Sequence, residues 1–324
     1  MEKVIECVPN FSEGRDRETI GAIAEAAGSV SGAYVLHVDS GVAAHRTVVT
    51  FAGEPGAVVE AAFRAVEVAA RRIDMRRHRG EHPRIGATDV LPLVPVRGVS
   101  LEECAGLARG LAERVGEELG IPVYCYEAAA ATPQRRGLEA CRRGEYEGLP
   151  DKLSDPDWRP DYGPTAWSEA VARTGATVIG ARNFLGAVNF NLASSGNQAA
   201  DVALAREIAR EIRAASGTPW SLPTVKAIGW WIEEYGCAQV STNLTDMHVT
   251  GIGTAYRAVV AAAERRGTKV TGTEVIGLLP EWALVEATDE RTVSAAVKAL
   301  GLDSMRHLGR GFDPARKIVE RLLK

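Results

Sequence analysis

The stretch HRGEHPRIGATDV, residues 78–90, gathers two histidines, two arginines, a glutamate and an aspartate ahead of an apolar run. An imidazole titrates near neutrality, so a histidine here could take up and release a proton within one catalytic cycle. His82 is the leading candidate: Pro83 holds the residue before it extended, and Glu81 with the flanking arginines could set the ring's charge. His78 stands four positions earlier, but no third ligand follows at a zinc-like spacing, so no metal is expected. Asp39, in HVDSGVAAHR, closes one strand candidate and Asp89 opens another. Either carboxylate could steady an imidazolium, or serve as a turn residue bonded to backbone. His37 and His45 read as structural, and His248 and His307 carry no signal.

A second group suits binding. Asn10 and Asn189 each stand in an Asn-Phe pair at a strand end, and amide side chains there could read a heterocycle's donor and acceptor edge. Arg46, Arg84 and Arg182 could hold substrate carboxylates through bidentate pairs.

Positioning these groups needs a scaffold, and the chain carries one twice. AFRAVEVAARR (62–72) and AYRAVVAAAER (255–265) share an opening and a helical spacing of apolar residues. Each lies between strand candidates, RTVVTF and GATDVLPLVPV in the first copy, AQVSTNL and GTEVIGLLP in the second. Upstream, VIECVPNFSEG and FLGAVNFNLAS each precede a helix-period stretch, at 16–27 and 199–214. The order strand, helix, strand, strand, helix, strand predicts an α+β chain of two duplicated ferredoxin-like (split βαβ) subdomains, 1–180 and 181–324, with antiparallel sheets. From Phe63 to Asp89 is 26 positions and from Tyr256 to Glu274 is 18, so the first copy holds eight extra residues, around Arg76–Arg84. The histidine-bearing turn is thus an insertion, dispensable for folding and a place for chemistry. Between the copies lie a helix near 101–119, a strand near 121–130 and an irregular run at 142–164 whose prolines and aromatics predict a structured loop.

Composition bounds the partners. Of 324 residues 46% are hydrophobic and 25% charged, enough for a real core. A net charge of −4 advertises neither nucleic acid nor an anionic membrane, and no run of about 18 apolar residues or cationic leader occurs. The expected partners are small-molecule substrates, the expected location is cytoplasmic and the expected assembly a homodimer. Five scattered cysteines without a Cys-x-x-Cys pair argue against a disulfide framework.

CVPNFSEG (7–14), HRTVVTF (45–51), RGEHPRIGATDVLPLVPV (79–96), GEYEGLPDKLSDPDWRPDYGP (144–164), VKAIGWWIEEYGCAQVSTNLTD (225–246) and GTEVIGLLP (272–280) together resemble the glutamate formimidoyltransferase (formiminotransferase) family. The resemblance implies transfer of a formimino group from N-formimino-L-glutamate to N5 of tetrahydrofolate, a co-substrate, in histidine degradation. It implies folate held in a cleft between the two subdomains, His82 as acid and base, and a separate cyclodeaminase acting next; Asp39 or a neighbouring carboxylate would steady the imidazolium. The family's folate-contacting stretch opens with Gly-Pro-Ser and soon reaches Gly-Ala-Thr. Here it is GPTAWSEAVARTGAT, longer and more helix-like, with contacts implied at Gly163, Pro164, Thr165, Ala166 and Trp167. The rival readings are a formyl in place of a formimino donor, a hydrolase that passes the group to water, and a non-catalytic ligand- or RNA-binding module. The last lacks an aromatic RNA-binding run.

Overall fold

The computed structural model describes residues 3–42, 44–80, 82–304 and 311–322, so Glu81 and His307 lie outside the described residues. The chain divides into two compact units, Met1–Asn183 and Phe184–Lys324.

The first unit runs β1 (Val4–Cys7), β2 (Asn10–Phe11), α1 (Arg17–Gly28), β3 (Ala33–Gly41), β4 (Arg46–Gly53), α2 (Pro55–Arg72), β5 (Thr88–Arg97), α3 (Leu101–Leu119), β6 (Val123–Glu127), α4 (Leu138–Cys141), α5 (Leu149–Ser154), α6 (Glu169–Thr174) and β7 (Thr177–Ala181). β1 and β2 follow one path between β4 and β5, interrupted at Pro9, which has no N–H for a ladder. The order across the sheet is β3, β4, the β1–β2 pair, β5, β7, β6. Helix starts follow local chemistry: Ser100 and Glu103 form a reciprocal capping box at α3, and Pro55 opens α2. These helices bury Phe11, Phe51, Leu91 and Leu93 on one face. Alternate residues point the other way, and there Val90, Tyr124, Tyr126 and Val178 pack under Cys141, Leu149, Leu153 and Val171.

The second unit runs β8 (Gly186–Leu192), α7 (Gln198–Ile212), β9 (Val225–Ile232), β10 (Cys237–Leu244), α8 (Ile252–Glu264), β11 (Val270–Ile276), α9 (Glu281–Val285), α10 (Val293–Ala299), α11 (Pro314–Lys317) and α12 (Val319–Leu322). Its sheet, ordered β11, β8, β10, β9, is antiparallel throughout among the described residues. Helix side chains such as Ile208, Ile212 and Val259 cover Val188, Phe190 and Val240.

The order β3, β4, β1–β2, β5 of the first sheet recurs as β9, β10, β8, β11 in the second, which has no counterpart of β6 and β7, and the chain is a mixed αβ protein with two sheets. Three expectations need correction. The first sheet is not antiparallel: β7 runs parallel to both β5 and β6, because α3 carries the chain back across the sheet, as a parallel connection requires. Asn189 sits in the middle of β8, not at a strand end. The counterpart of Glu274, which faces Asn189, is Val90, which faces Asn10; Asp89 is an extra residue of the first copy.

The histidine-bearing turn occupies 73–87, whereas α8 reaches β11 through 265–269. Gly86 lets this turn pass tightly: a Cβ there would lie 2.1 Å from Ala176 O. All five cysteines are free and buried. Among the described residues no helix is long and apolar enough to cross a membrane.

Candidate active site

Asn10 faces Val48 and Val90, whereas the next residue, Phe11, faces Thr47 and Thr88. Asp89 is therefore the bulged residue of β5, and a bulge re-aims the side chain it carries. Its carboxylate is fully buried. Oδ1 accepts from the Ile85 N–H at 2.9 Å and from Arg142 Nε at 3.2 Å, while Oδ2 lies 2.6 Å from both Arg142 Nη2 and Arg46 Nη1. Burial alone would raise the Asp89 pKa, but the two guanidiniums outweigh it and hold the carboxyl below its usual range. Arg46 Nε donates to Asn10 Oδ1 at 3.0 Å, and Asn10 Nδ2 donates to Val8 O at 2.9 Å. Two arginines on one carboxylate leave this cluster with a net positive charge.

His82 stands beside it, half-buried. Burial, and then the charges of Arg46 and Arg142, push its pKa down to about 4 against the opposing pull of the Pro83 carbonyl and Asp89. The ring is thus neutral near pH 7. Nδ1 lies 2.7 Å from Pro83 O, and a carbonyl can only accept, so Nδ1 carries the hydrogen and Nε2 the lone pair. Among the described residues Nε2 has no partner. A neutral imidazole with its basic nitrogen uncommitted can accept a proton.

The rest of the turn anchors this ring. Arg84 is buried, and its guanidinium donates to Glu147 at 2.5 and 2.7 Å, to Glu145 at 3.1 Å and to His78 Nδ1 at 3.3 Å. His78 Nε2 in turn donates to His45 O at 2.9 Å, and the two rings lie 4.4 Å apart. His45 has φ 49° and Glu145 φ 55°, sparsely populated backbone for non-glycine residues, and both flank residues of this cluster.

The other candidates make no hydrogen bond or ion pair with that cluster among the described residues. Asp39 is a half-buried residue of β3 opposite Val48, and its carboxylate makes no hydrogen bond or ion pair among the described residues. Gly163 takes φ 82° and packs its backbone against Ile121 O, while Pro164 is half-buried and Thr165, Ala166 and Trp167 are exposed ahead of α6. The Trp167 ring lies 5.9 Å from that of Tyr146. Arg182 follows β7 and donates from Nη1 to Asn183 O at 2.9 Å.

In the second unit Asn189 is 5% exposed, and its amide makes no hydrogen bond among the described residues. Ser241 and Glu274 face it on the neighbouring strands. On the same face Gln239 Nε2 donates to Asn191 Oδ1 at 2.8 Å and Glu274 Oε2 at 3.3 Å, its carbonyl accepts from Trp230 Nε1 at 2.9 Å, and Tyr235 OH donates to Glu274 Oε1 at 2.7 Å. Buried polar side chains in such a network are held rigidly.

Arg142, Gln239 and Glu274 escaped the sequence reading. Gln239 and Glu274 carry a period-2 signal, polar positions alternating with the apolar Val240 and Val275. Arg142 carries none, since its partner Asp89 is 53 positions away.

Residues 4–182 match the family model described as the formiminotransferase domain, N-terminal subdomain, and residues 187–324 match the one described as the formiminotransferase domain. The chain is 42% identical over 285 residues to glutamate formimidoyltransferase of Thermoplasma acidophilum, covering 87% of this chain and 90% of that protein. With glutamate formimidoyltransferase of Streptococcus pyogenes serotype M1 the identity is 39% over 294 residues, covering 89% of this chain and 93% of the relative. With formimidoyltransferase-cyclodeaminase of Sus scrofa it is 45% over 336 residues, covering 100% of this chain and 60% of the relative. The chain thus spans about three fifths of the length of that longer relative.

Proposed function

The chain belongs to the formiminotransferase family, and from that premise we propose that it transfers the formimino group of N-formimino-L-glutamate to N5 of tetrahydrofolate, releasing L-glutamate. The observation that carries the reading is a neutral His82 with an uncommitted Nε2 beside the positive Arg46–Asp89–Arg142 cluster. A donor with two carboxylates would seat one of them near those guanidiniums.

His82 then takes the proton from N5 as that nitrogen bonds to the formimino carbon. It returns the proton to the glutamate nitrogen as the old carbon–nitrogen bond breaks. One N–H is lost and one gained, so the ring ends as it began. A positioned acid and base of this kind contributes about 10²–10⁴-fold in rate. The imidazolium formed midway is steadied by Asp89, the buried carboxylate whose charge acts on His82, in preference to Asp39. A bound donor carboxylate would also offset the arginines and raise the ring's basicity.

In this reading Asn10 and the Gly163–Trp167 segment are the folate-binding residues of the first unit, and Asn189 is taken by itself as a folate-binding residue of the second. Arg84, whose donors already serve Glu145, Glu147 and His78, acts by holding the turn. The repeated strand order and the echo between the α2 and α8 sequences support two ferredoxin-like subdomains, 1–180 and 181–324.

Purified protein supplied with N-formiminoglutamate and tetrahydrofolate tests the reading, run beside N-formylglutamate and a control without folate. The expected result is folate-dependent release of glutamate, with a larger kcat/KM for the formimino donor. Glutamate release without folate, or preference for the formyl donor, overturns it.

A further inference from the structure

Arg142 owes its place to a four-residue helix, α4, whose C-terminal flank it forms. Helices that short have little stability of their own, so something must hold the backbone there. Lys152, from α5, reaches back to it. Its Nζ donates to Cys141 O at 2.5 Å and Ala140 O at 3.3 Å, and lies 3.5 Å from Arg143 O. Those carbonyls bracket residue 142 on both sides.

Lys152 is 8% exposed, and its Nζ lies 4.2 Å from the centroid of the Trp158 ring and 5.2 Å from that of Tyr124. Among the described residues no carboxylate pairs with it, and the ionisable groups that act on it are Cys141, Arg143 and Arg135. Burying a lysine without a counter-charge is costly, and burial pushes this one down to about 8. Carbonyl dipoles and ring faces offset that cost. A methionine or leucine would fill this buried position more cheaply, so the amine's use lies in the three carbonyls.

We propose that Lys152 is a positioning residue for the transfer: it clamps the backbone on both sides of Arg142 and thereby holds that guanidinium on Asp89, beside His82. The proposal rests on the reading that His82 and the Asp89 cluster form the reaction centre. Lys152 touches neither substrate nor the reacting atoms.

Lys152→Met keeps the apolar stem and removes the donors. It is compared with Arg142→Met and the double variant, by kcat and KM and by NMR titration of the His82 ring. The charged groups facing that ring are Arg46, Arg142 and Asp89, so displacing Arg142 should raise its pKa. The expected result is a fall of about tenfold in kcat for Lys152→Met with both KM values within about twofold, and a His82 pKa raised as in Arg142→Met. The double variant should be no worse than Arg142→Met alone. Multiplying effects, or an unchanged His82 titration in Lys152→Met, overturn the proposal.

Should Lys152→Met not fold, Lys152→Arg serves instead: it keeps the charge but cannot place one nitrogen between three carbonyls, and partial loss with the same non-additivity is expected. The NMR titration needs no turnover. If the unaltered protein transfers nothing, the functional reading fails while the clamp is still judged by the His82 shift.

Discussion

Arg142 Nη2 lies 2.6 Å from Asp89 Oδ2, the same oxygen that Arg46 Nη1 reaches at 2.6 Å. One buried oxygen therefore ties strand β4 and the irregular segment after α4 to the bulge of β5. Asp89→Asn removes the charge and leaves two guanidiniums facing a neutral amide. Breaking a buried pair from one side costs about 3–5 kcal/mol. Urea unfolding of this variant should show a loss of that size, and turnover should fall as Arg142 leaves its place.

His82→Asn tests the proton carrier. Asparagine can still donate to the Pro83 carbonyl but cannot accept and release a proton at neutral pH. Turnover should drop by at least about 10²-fold while the thermal midpoint and tetrahydrofolate affinity stay near their original values. A variant that keeps full kcat would remove His82 from the chemistry.

The acid side of the pH profile follows from the depressed His82 pKa of about 4. The base form persists in the free enzyme well below 6.5, so kcat/KM should hold to about pH 4 as far as His82 is concerned. The limb in kcat should lie higher, because a bound carboxylate offsets Arg46 and Arg142. For stability, the unfolded ring binds its proton first as pH falls. The contribution of neutral His82 is therefore complete above about 6.5 and is lost as pH falls through 6.5 toward 4. Kinetics and unfolding between pH 4 and 8 check both signs.

Asn189 offers a test of the second unit. Its side chain is 5% exposed and its amide makes no hydrogen bond among the described residues, which leaves its donors and carbonyl to a ligand. Asn189→Leu should raise the KM for tetrahydrofolate by about tenfold, the worth of one hydrogen bond, and leave kcat and the donor's KM within about twofold. An unchanged folate KM would assign the residue to the scaffold.

Much of the scaffold was legible because it rests on local periodicity. The alternation in VKAIGWWI and AQVSTNL marks a hairpin, and Ser100 with Glu103 marks the start of α3. TVIGA of β7 carries no such signal: a short apolar run does not reveal that its neighbours are parallel, which depends on where α3 sends the chain. At the site, the turn around His82 announced itself by residue type. The ion pairs of Asp89 did not, since they depend on one extra residue in β5 and on an arginine far along the chain. The ion pairs of Arg84 were not legible either, because Glu145 and Glu147 lie in a loop with no periodicity.

The central claim is most directly tested by following the imino nitrogen itself. N-formiminoglutamate labelled with ¹⁵N on that nitrogen is incubated with the protein and tetrahydrofolate, and the products are read by mass. Formimino transfer predicts the label in the folate product, with unlabelled glutamate released in equal amount. Label recovered as ammonia or formamide, with no labelled folate, would contradict it.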